Sequence, residues 1–418
     1  MIKLQTVKGT HDLLGKSSII IDDIIDISEK VSKKFNFEKI STPILEFSEL
    51  FSGTLGQVSD IVEKEMYNFV DRGNESLTLR PEGTAPVARA LISNSLHESV
   101  SQKFYYFGPM FRREKPQSGR LRQFHQFGIE YFNQPSYFCD LEVIFIADKI
   151  IEKLNLKDRT ELQLNTLGNY RSRAKFKNKL VEFFSKYKND LSEDSRNRLE
   201  KNPLRILDSK HKSDLSIKKN APRIYEFLDL ESKKFYESLK ASLSEANIKY
   251  VENSNLVRGL DYYNHTAFEY VNLNGKSQNT ILAGGRYDGL VKSLSKKDIC
   301  GVGWALGIER ILLMIKENYT IKDKNIISIF ATSNAFNLNI FTIINNLKNL
   351  SNVSLNIIYE GSFKKKLVKA NKIKSSACII LGEDEYKEDK VIWKDFISGQ
   401  QELVDLNDLD NFISKKTK

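Results

Sequence analysis

The sequence predicts two fold classes in one chain: an α+β region over residues 1–322, built on an antiparallel sheet flanked by helices, and an α/β region over 323–418. Three observations lead there. Residues 104–132 are crowded with aromatic side chains and broken by one polar loop, 114–120, holding Pro116 and Gly119, the pattern of a long antiparallel hairpin. Residues 168–245 are rich in Lys, Glu and Ser, poor in glycine and helically periodic, so they read as helices with a solvated face, an insertion at about 170–245. Beyond the polar stretch 316–324, short apolar runs at 326–330, 355–359 and 377–381 alternate with helical segments at 337–349 and 362–373, the signature of a largely parallel sheet.

The elements follow in order. Ile20, Ile24, Ile27 and Val31 recur at helical spacing with Asp22, Asp23 and Asp26 between them, an amphipathic first helix. Residues 37–51 carry Pro43 after a β-leaning stretch and then LEFSELF, which reads as helical. Residues 78–84, TLRPEGT, read as a strand end, a turn and a helix opening near Pro86. Six of the 21 glycines fall within 281–310, where they mark tight turns or close approach of backbone to a ligand, and 304–316 reads as a helix.

Composition bounds the function. The 418 residues hold 64 Lys+Arg against 54 Asp+Glu, a net charge of +10, which favours a polyanionic partner. No apolar run reaches the ~18 residues of a membrane span, and the opening MIKLQTVKGTHDLL lacks the apolar core of a secretory signal. Cys139, Cys300 and Cys378 lie far apart without CxxC spacing, which fits a reducing cytoplasm without disulfides or structural zinc. Two nucleotide-loop lookalikes fail on spacing: five residues separate Gly9 from Gly15-Lys16-Ser17 where a phosphate loop needs four, and Gly301, Gly303 and Gly307 miss the dinucleotide fingerprint by one.

The hairpin is the most informative segment. A period of two puts Arg122, Phe124, Gln126, Gly128 and Glu130 on one face and His125, Phe127, Ile129 and Tyr131 on the other, the core side. Taken alone the first face would be a solvated outer face, but Arg112, Arg113, Lys115, Arg120 and Arg122 stand against a single acid, Glu114, and planar guanidinium forks suit phosphate oxygens. Arg258 lies between apolar residues and before two tyrosines, so it seeks a buried carboxylate or a ligand anion. Lys364, Lys365, Lys366, Lys369, Lys372 and Lys374 fall within an acid-free eleven-residue run, an electrostatic footprint for RNA.

Together these segments resemble the histidyl-tRNA synthetase family of class II aminoacyl-tRNA synthetases over nearly the whole chain. Residues 8–12 (KGTHD) resemble its N-terminal signature and the stretch around Pro43 its motif 1. Residues 111–114 with 123–126 resemble motif 2, residues 307–310 motif 3, and 256–263 and 283–290 its two histidine-specific signatures. The resemblance implies a catalytic domain, 1–322, and an anticodon-binding domain, 323–418. It implies activation of L-histidine by ATP with Mg²⁺, no tightly bound structural metal, transfer to tRNA(His), and a cytoplasmic homodimer without membrane attachment. Glu82, Gly83 and Thr84 with Gln126 would hold the α-ammonium; Glu130, Tyr262 and Tyr263 would read the imidazole. Arg112 and Arg258 would act at the α-phosphate, and so beside the bound histidine, with Glu114, Arg120 and Arg122 near ATP and Arg310 at the γ-phosphate. Lys115 and Gln117 in the motif 2 loop, and Lys364, Lys365 and Lys366, would meet tRNA. Lys115 stands where many bacterial relatives carry arginine, and a lysine supplies no planar fork for an extra 5′ guanosine. The rival reading is the non-catalytic relative that serves as a regulatory subunit of ATP phosphoribosyltransferase; it typically lacks the C-terminal domain.

Overall fold

Strands Gln102–Phe111 and Gln123–Phe132 pair antiparallel along their full ten residues, with Phe107 opposite Phe127 and Gly108 opposite Gln126. In this computed structural model, which describes residues 4–54, 61–98, 101–260, 262–275, 280–320, 325–347, 353–417, that hairpin anchors an eight-stranded sheet. The order runs from 38–39 through the hairpin to Gly301–Gly307, Thr280–Arg286, Asn264–Asn272, Thr160–Thr166 and 251–252. Only the two short edge strands pair parallel, Glu38–Lys39 with the hairpin and Val251–Glu252 with Thr160–Thr166.

Side-chain alternation gives this sheet two buried faces. Tyr105, Phe127, Ile129, Phe268, Tyr270 and Trp304 face helices Lys16–Lys34, Tyr137–Lys153, Leu230–Glu245 and Ile308–Ile315. Ile20, Ile24 and Val31 of the first helix lie in that core, as their spacing predicts. Trp304 satisfies its indole N–H by donating to the Val143 carbonyl at 2.8 Å. The opposite face presents Tyr106, Phe132 and Ala267 to helix Thr84–Ser93 and to the helical insertion. The hairpin face that carries Gln126, Gly128 and Glu130 is therefore no solvated surface: Glu130 is fully buried.

Several expected elements change type. Leu45–Phe47 is a strand, pairing with Ser76–Leu79, and only Ser48–Thr54 of LEFSELF is helical. Gly301–Gly307 is a strand, so the helix expected over 304–316 opens only at Ile308. The insertion comprises Tyr170–Ser185, Glu193–Lys201 and Lys212–Lys218, whereas Tyr236, Leu239 and Leu243 of Leu230–Glu245 belong to the main core.

The chain divides into two compact units, Met1–Tyr319 and Thr320–Lys418; the expected boundary near residue 322 lies outside the described residues. The second unit holds a five-stranded sheet in the order Val353–Ile357, Asn325–Ala331, Ala377–Leu381, Lys390–Asp395, Gln401–Asp405. The first three strands run parallel, but the last two form an antiparallel hairpin, so the sheet is mixed. Its turn is fixed by Asp395, whose Oδ1 accepts from the N–H groups of Ile397 and Ser398 at 2.8 Å each. Among the described residues no helix is long and apolar enough to cross a membrane.

Candidate active site

A cavity of about 180 Å³ opens on the second face of the large sheet. It gathers Glu82, Thr84, Arg112, Glu114, Arg120, Gln126, Arg258, Tyr262, Tyr263 and Arg310, residues drawn from five separate stretches of sequence. A wider cleft of about 1070 Å³ shares its arginines and continues toward Arg198, Lys210 and Lys218 of the insertion.

One end is a cluster of cations. Arg112 donates from Nε to the Pro81 carbonyl at 2.8 Å and lies over the Phe124 ring, 5.2 Å from its centroid. Arg120 Nε sits 2.6 Å from Glu114 Oε2, the acid nearest to this group. Arg310, in the first turn of its helix, donates from Nε to the Gly119 carbonyl at 3.2 Å and from Nη1 to the Thr280 carbonyl. Burial pulls Arg310 below its ordinary pKa, and the like charges of Arg120 and Arg112 pull it further. Arg112, Arg120 and Arg310 stand around one paired acid, Glu114, and the surplus of positive charge favours a bound polyanion. Arg258 lies over the Tyr263 ring at 5.2 Å.

The other end is aromatic and polar. Glu82 caps helix Thr84–Ser93, its carboxylate accepting from the N–H groups of Thr84 at 3.0 Å and Ala85 at 2.7 Å. Burial pushes its pKa up against those bonds and the Arg112 charge. Thr84 Oγ1 donates to Glu130 Oε1 at 2.6 Å; Tyr106 donates to the same oxygen at 3.3 Å, and Tyr287 to Oε2. Burial raises the Glu130 pKa to about 8. Two close approaches explain local glycines. A Cβ on Gly83 would stand 2.2 Å from the Tyr106 ring, and one on Gly303 would stand 2.0 Å from Glu130 Oε2. Among the described residues, the buried atoms Gln126 Oε1 and Arg258 Nε have no hydrogen-bond partner. Each such atom costs about 1–3 kcal/mol, which a polar ligand in the cavity would offset.

Four expected site residues stand elsewhere. Glu130 does not line the cavity but lies beneath it, one hydrogen bond behind Thr84. Gly83 serves as N-cap over Tyr106 and offers no group of its own to the cavity. Arg122 packs on Gly9, which a Cβ would bring within 2.8 Å of its Cγ, and its N–H donates to the Gly9 carbonyl. Its guanidinium Nε donates to the Glu114 carbonyl at 3.4 Å, and its side chain does not line the cavity. Lys366 is fully buried, donating to the Ala331 carbonyl at 2.8 Å, so it belongs to the core of the second unit and offers tRNA nothing. Lys364 and Lys365 are exposed on helix Phe363–Lys372, and Lys115 and Gln117 are exposed in the hairpin loop. Tyr106, Tyr287, Thr280 and Glu309 are further residues at the site that the motifs did not assign. Glu309 faces the cavity and accepts from the His125 N–H at 2.9 Å and pairs with its ring Nδ1 at 2.8 Å. No group of three or more His, Cys, Asp or Glu able to hold a metal occurs among the described residues.

Residues 9–311 match the family model described as histidyl-tRNA synthetase, and 331–416 match the one described as anticodon binding domain. The histidine–tRNA ligase of Orientia tsutsugamushi (strain Boryong) is 42% identical over 99% of this chain and 98% of its own. That of Hydrogenovibrio crunogenus is 42% identical over 94% and 93%. The crystal structure of apo Staphylococcus aureus histidyl-tRNA synthetase superposes with a TM-score of 0.80 at 33% identity, covering 99% of both chains. A large antiparallel sheet carrying an arginine-lined cavity, followed by a separate anticodon-binding domain, is the architecture of a class II aminoacyl-tRNA synthetase. Within that class, the chain belongs to the histidyl-tRNA synthetase family.

Proposed function

We propose that the chain activates L-histidine with MgATP and transfers the histidyl group to the 3′ end of tRNA(His). The observation that carries this reading is the pairing, in one cavity, of a net positive cluster of Arg112, Arg120 and Arg310 with an aromatic end holding unpartnered buried polar atoms. The histidine carboxylate attacks the α-phosphorus of ATP; a new P–O bond forms as the bond to the β-phosphate oxygen breaks, and pyrophosphate leaves. Negative charge grows on the equatorial and leaving oxygens, so guanidinium groups already fixed by Pro81, Gly119 and Thr280 carbonyls lower the barrier without reorganising.

Arg112 and Arg258 serve the α-phosphate, Arg310 the γ-phosphate, with Arg120 and Glu114 beside them. Glu82 and Gln126 hold the α-ammonium, Tyr262 and Tyr263 meet the imidazole, and Glu130 with Tyr106 and Tyr287 forms the polar floor under Thr84. No side-chain nucleophile is required. A terminal ribose hydroxyl of tRNA then attacks the activated carbonyl and AMP leaves. Lys115 and Gln117 face the acceptor end, and Lys364 and Lys365 the anticodon arm. The regulatory-subunit reading is weaker, because a non-catalytic relative has no need of Arg112, Arg258 and Arg310 around one cavity.

A cytoplasmic homodimer fits the same reading. The three-stranded sheet 45–47, 76–79 and 67–70 leaves Leu45, Phe47, Phe69 and Val70 exposed, apolar area that a second copy would cover. The test is charging of purified tRNA with and without the extra 5′ guanosine. Histidine-specific charging is expected, and preference between the two tRNAs reports on Lys115. No charging of either tRNA overturns the proposal.

A further inference from the structure

Between the two arginines on the strand side of the cavity lies a carboxylate that no motif assigns. Glu269 stands on strand Asn264–Asn272, on the face of Ala267 and Val271, while Phe268 and Tyr270 point into the main core. Its Oε2 accepts a 3.1 Å hydrogen bond from Thr280 Oγ1 and lies 3.7 Å from Arg258 Nη1. Thr280 in turn offers its carbonyl to Arg310 Nη1. The strand pairing shifts register between Thr280, opposite Val271, and Leu282, opposite Tyr270, beside the point where Thr280 meets both Glu269 and Arg310.

An acid is a costly neighbour for a phosphate site, and this one is no strong structural brace. The Arg258–Glu269 pair is long and both side chains are partly exposed (15% and 18%), so its contribution to stability is small. What it does is geometric. Glu269 faces one end of the Arg258 fork at ion-pair distance while Tyr263 supports its plane, and the buried Nε has no partner among the described residues. Glu269 also adds a favourable charge at Arg310, opposite in sign to Arg112 and Arg120.

We propose that Glu269 is a positioning residue for adenylate formation: its carboxylate fixes the guanidinium of Arg258, and through Thr280 it fixes the strand carbonyl that holds Arg310. The two cations are thereby kept at a set spacing across the triphosphate. The inference rests on the function proposed above.

Glu269→Gln keeps an acceptor for Thr280 and removes the charge. In histidine-dependent pyrophosphate exchange its kcat should fall roughly tenfold while KM for histidine stays within about twofold. In an Arg258→Lys background the same substitution should cost less than about threefold, because the partner it acts through has changed. Wild-type kcat in Glu269→Gln, or an undiminished tenfold loss in the Arg258→Lys background, overturns the proposal. Thr280→Val, which removes only the hydroxyl, should give a partial loss of kcat at an unchanged melting temperature; wild-type kcat there overturns the Arg310 arm. A readout independent of turnover is the guanidinium NMR signal of Arg258, identified by its loss in Arg258→Lys. Restricted Nη rotation in the wild type should be released in Glu269→Gln, and equal rotation in both overturns the tether. A wild-type protein that exchanges no pyrophosphate yet shows that release would overturn the functional reading and leave the tether standing.

Discussion

Glu130→Gln is the substitution whose effect can be worked furthest from the structure. The carboxyl is fully buried among the hydroxyls of Thr84, Tyr106 and Tyr287, and burial raises its pKa from 4.5 to about 8. It is therefore largely protonated at neutral pH in the folded protein and ionised in the unfolded chain. Between those two values the native state holds a proton that the unfolded state releases, so stability falls as pH rises through the window, by up to about 1.4 kcal/mol per pH unit. A glutamine presents the same acceptor oxygen and a donor, and does not titrate. From about pH 5 to about 7.5 the wild type should thus lose about 3 kcal/mol relative to Glu130→Gln. Urea unfolding of the two proteins, followed by the transition of the unit that contains Trp304, measures this difference at each pH. A difference that stays flat across the window would refute a neutral Glu130.

Other consequences are simpler. Arg173 donates to the Tyr263 carbonyl at 2.8 Å, tying the insertion's first helix to the tyrosine pair; losing a hydrogen bond to a charged group, about 1.5–3 kcal/mol, Arg173→Ala should raise KM for histidine about tenfold and leave KM for ATP near wild type, and equal changes in both would contradict it. Gly83→Ala drives a methyl into the Tyr106 ring, so melting should show about 1–3 kcal/mol of destabilisation, and wild-type stability would contradict that packing. Charge reversal at Lys364 and Lys365 should weaken tRNA charging and spare pyrophosphate exchange. Lys366→Met replaces a buried amine whose pKa burial has lowered, and it should retain charging; loss of charging in a folded Lys366→Met protein would return that lysine to the RNA surface.

Elements with a clean period were legible from the residues: the first helix, the hairpin, and the three parallel strands of the second unit. Residues 304–307 were read as the start of the 304–316 helix although Val302, Trp304 and Leu306 alternate at strand spacing, because the glycines between them suggested turns; pairing with both Gln123–Phe132 and Thr280–Arg286 makes the segment a strand. Leu230–Glu245 looked like more insertion because its charged face resembles that of its neighbours, while its partner, Tyr137–Lys153, is distant in sequence. Motif positions found most of the cavity lining. They could not show that Arg122 lays its stem on Gly9 and donates to the Glu114 carbonyl, or that Lys366 turns inward, since a charged side chain reads the same in sequence whether it meets solvent or a backbone carbonyl. Tyr106 and Tyr287 were hidden among core aromatics. The bare positions packed against Tyr106, Gly83 and Gly128, were the signal.

The central claim is that Arg112, Arg258 and Arg310 act with the aromatic end as one adenylate-forming cavity. Its most direct test is exchange of labelled pyrophosphate into ATP by the purified chain, with Arg258→Ala and Arg310→Ala as folded controls. The account predicts exchange that requires histidine and Mg²⁺ and falls to background in both variants. No exchange at saturating histidine and MgATP, or wild-type rates in either variant, would contradict it.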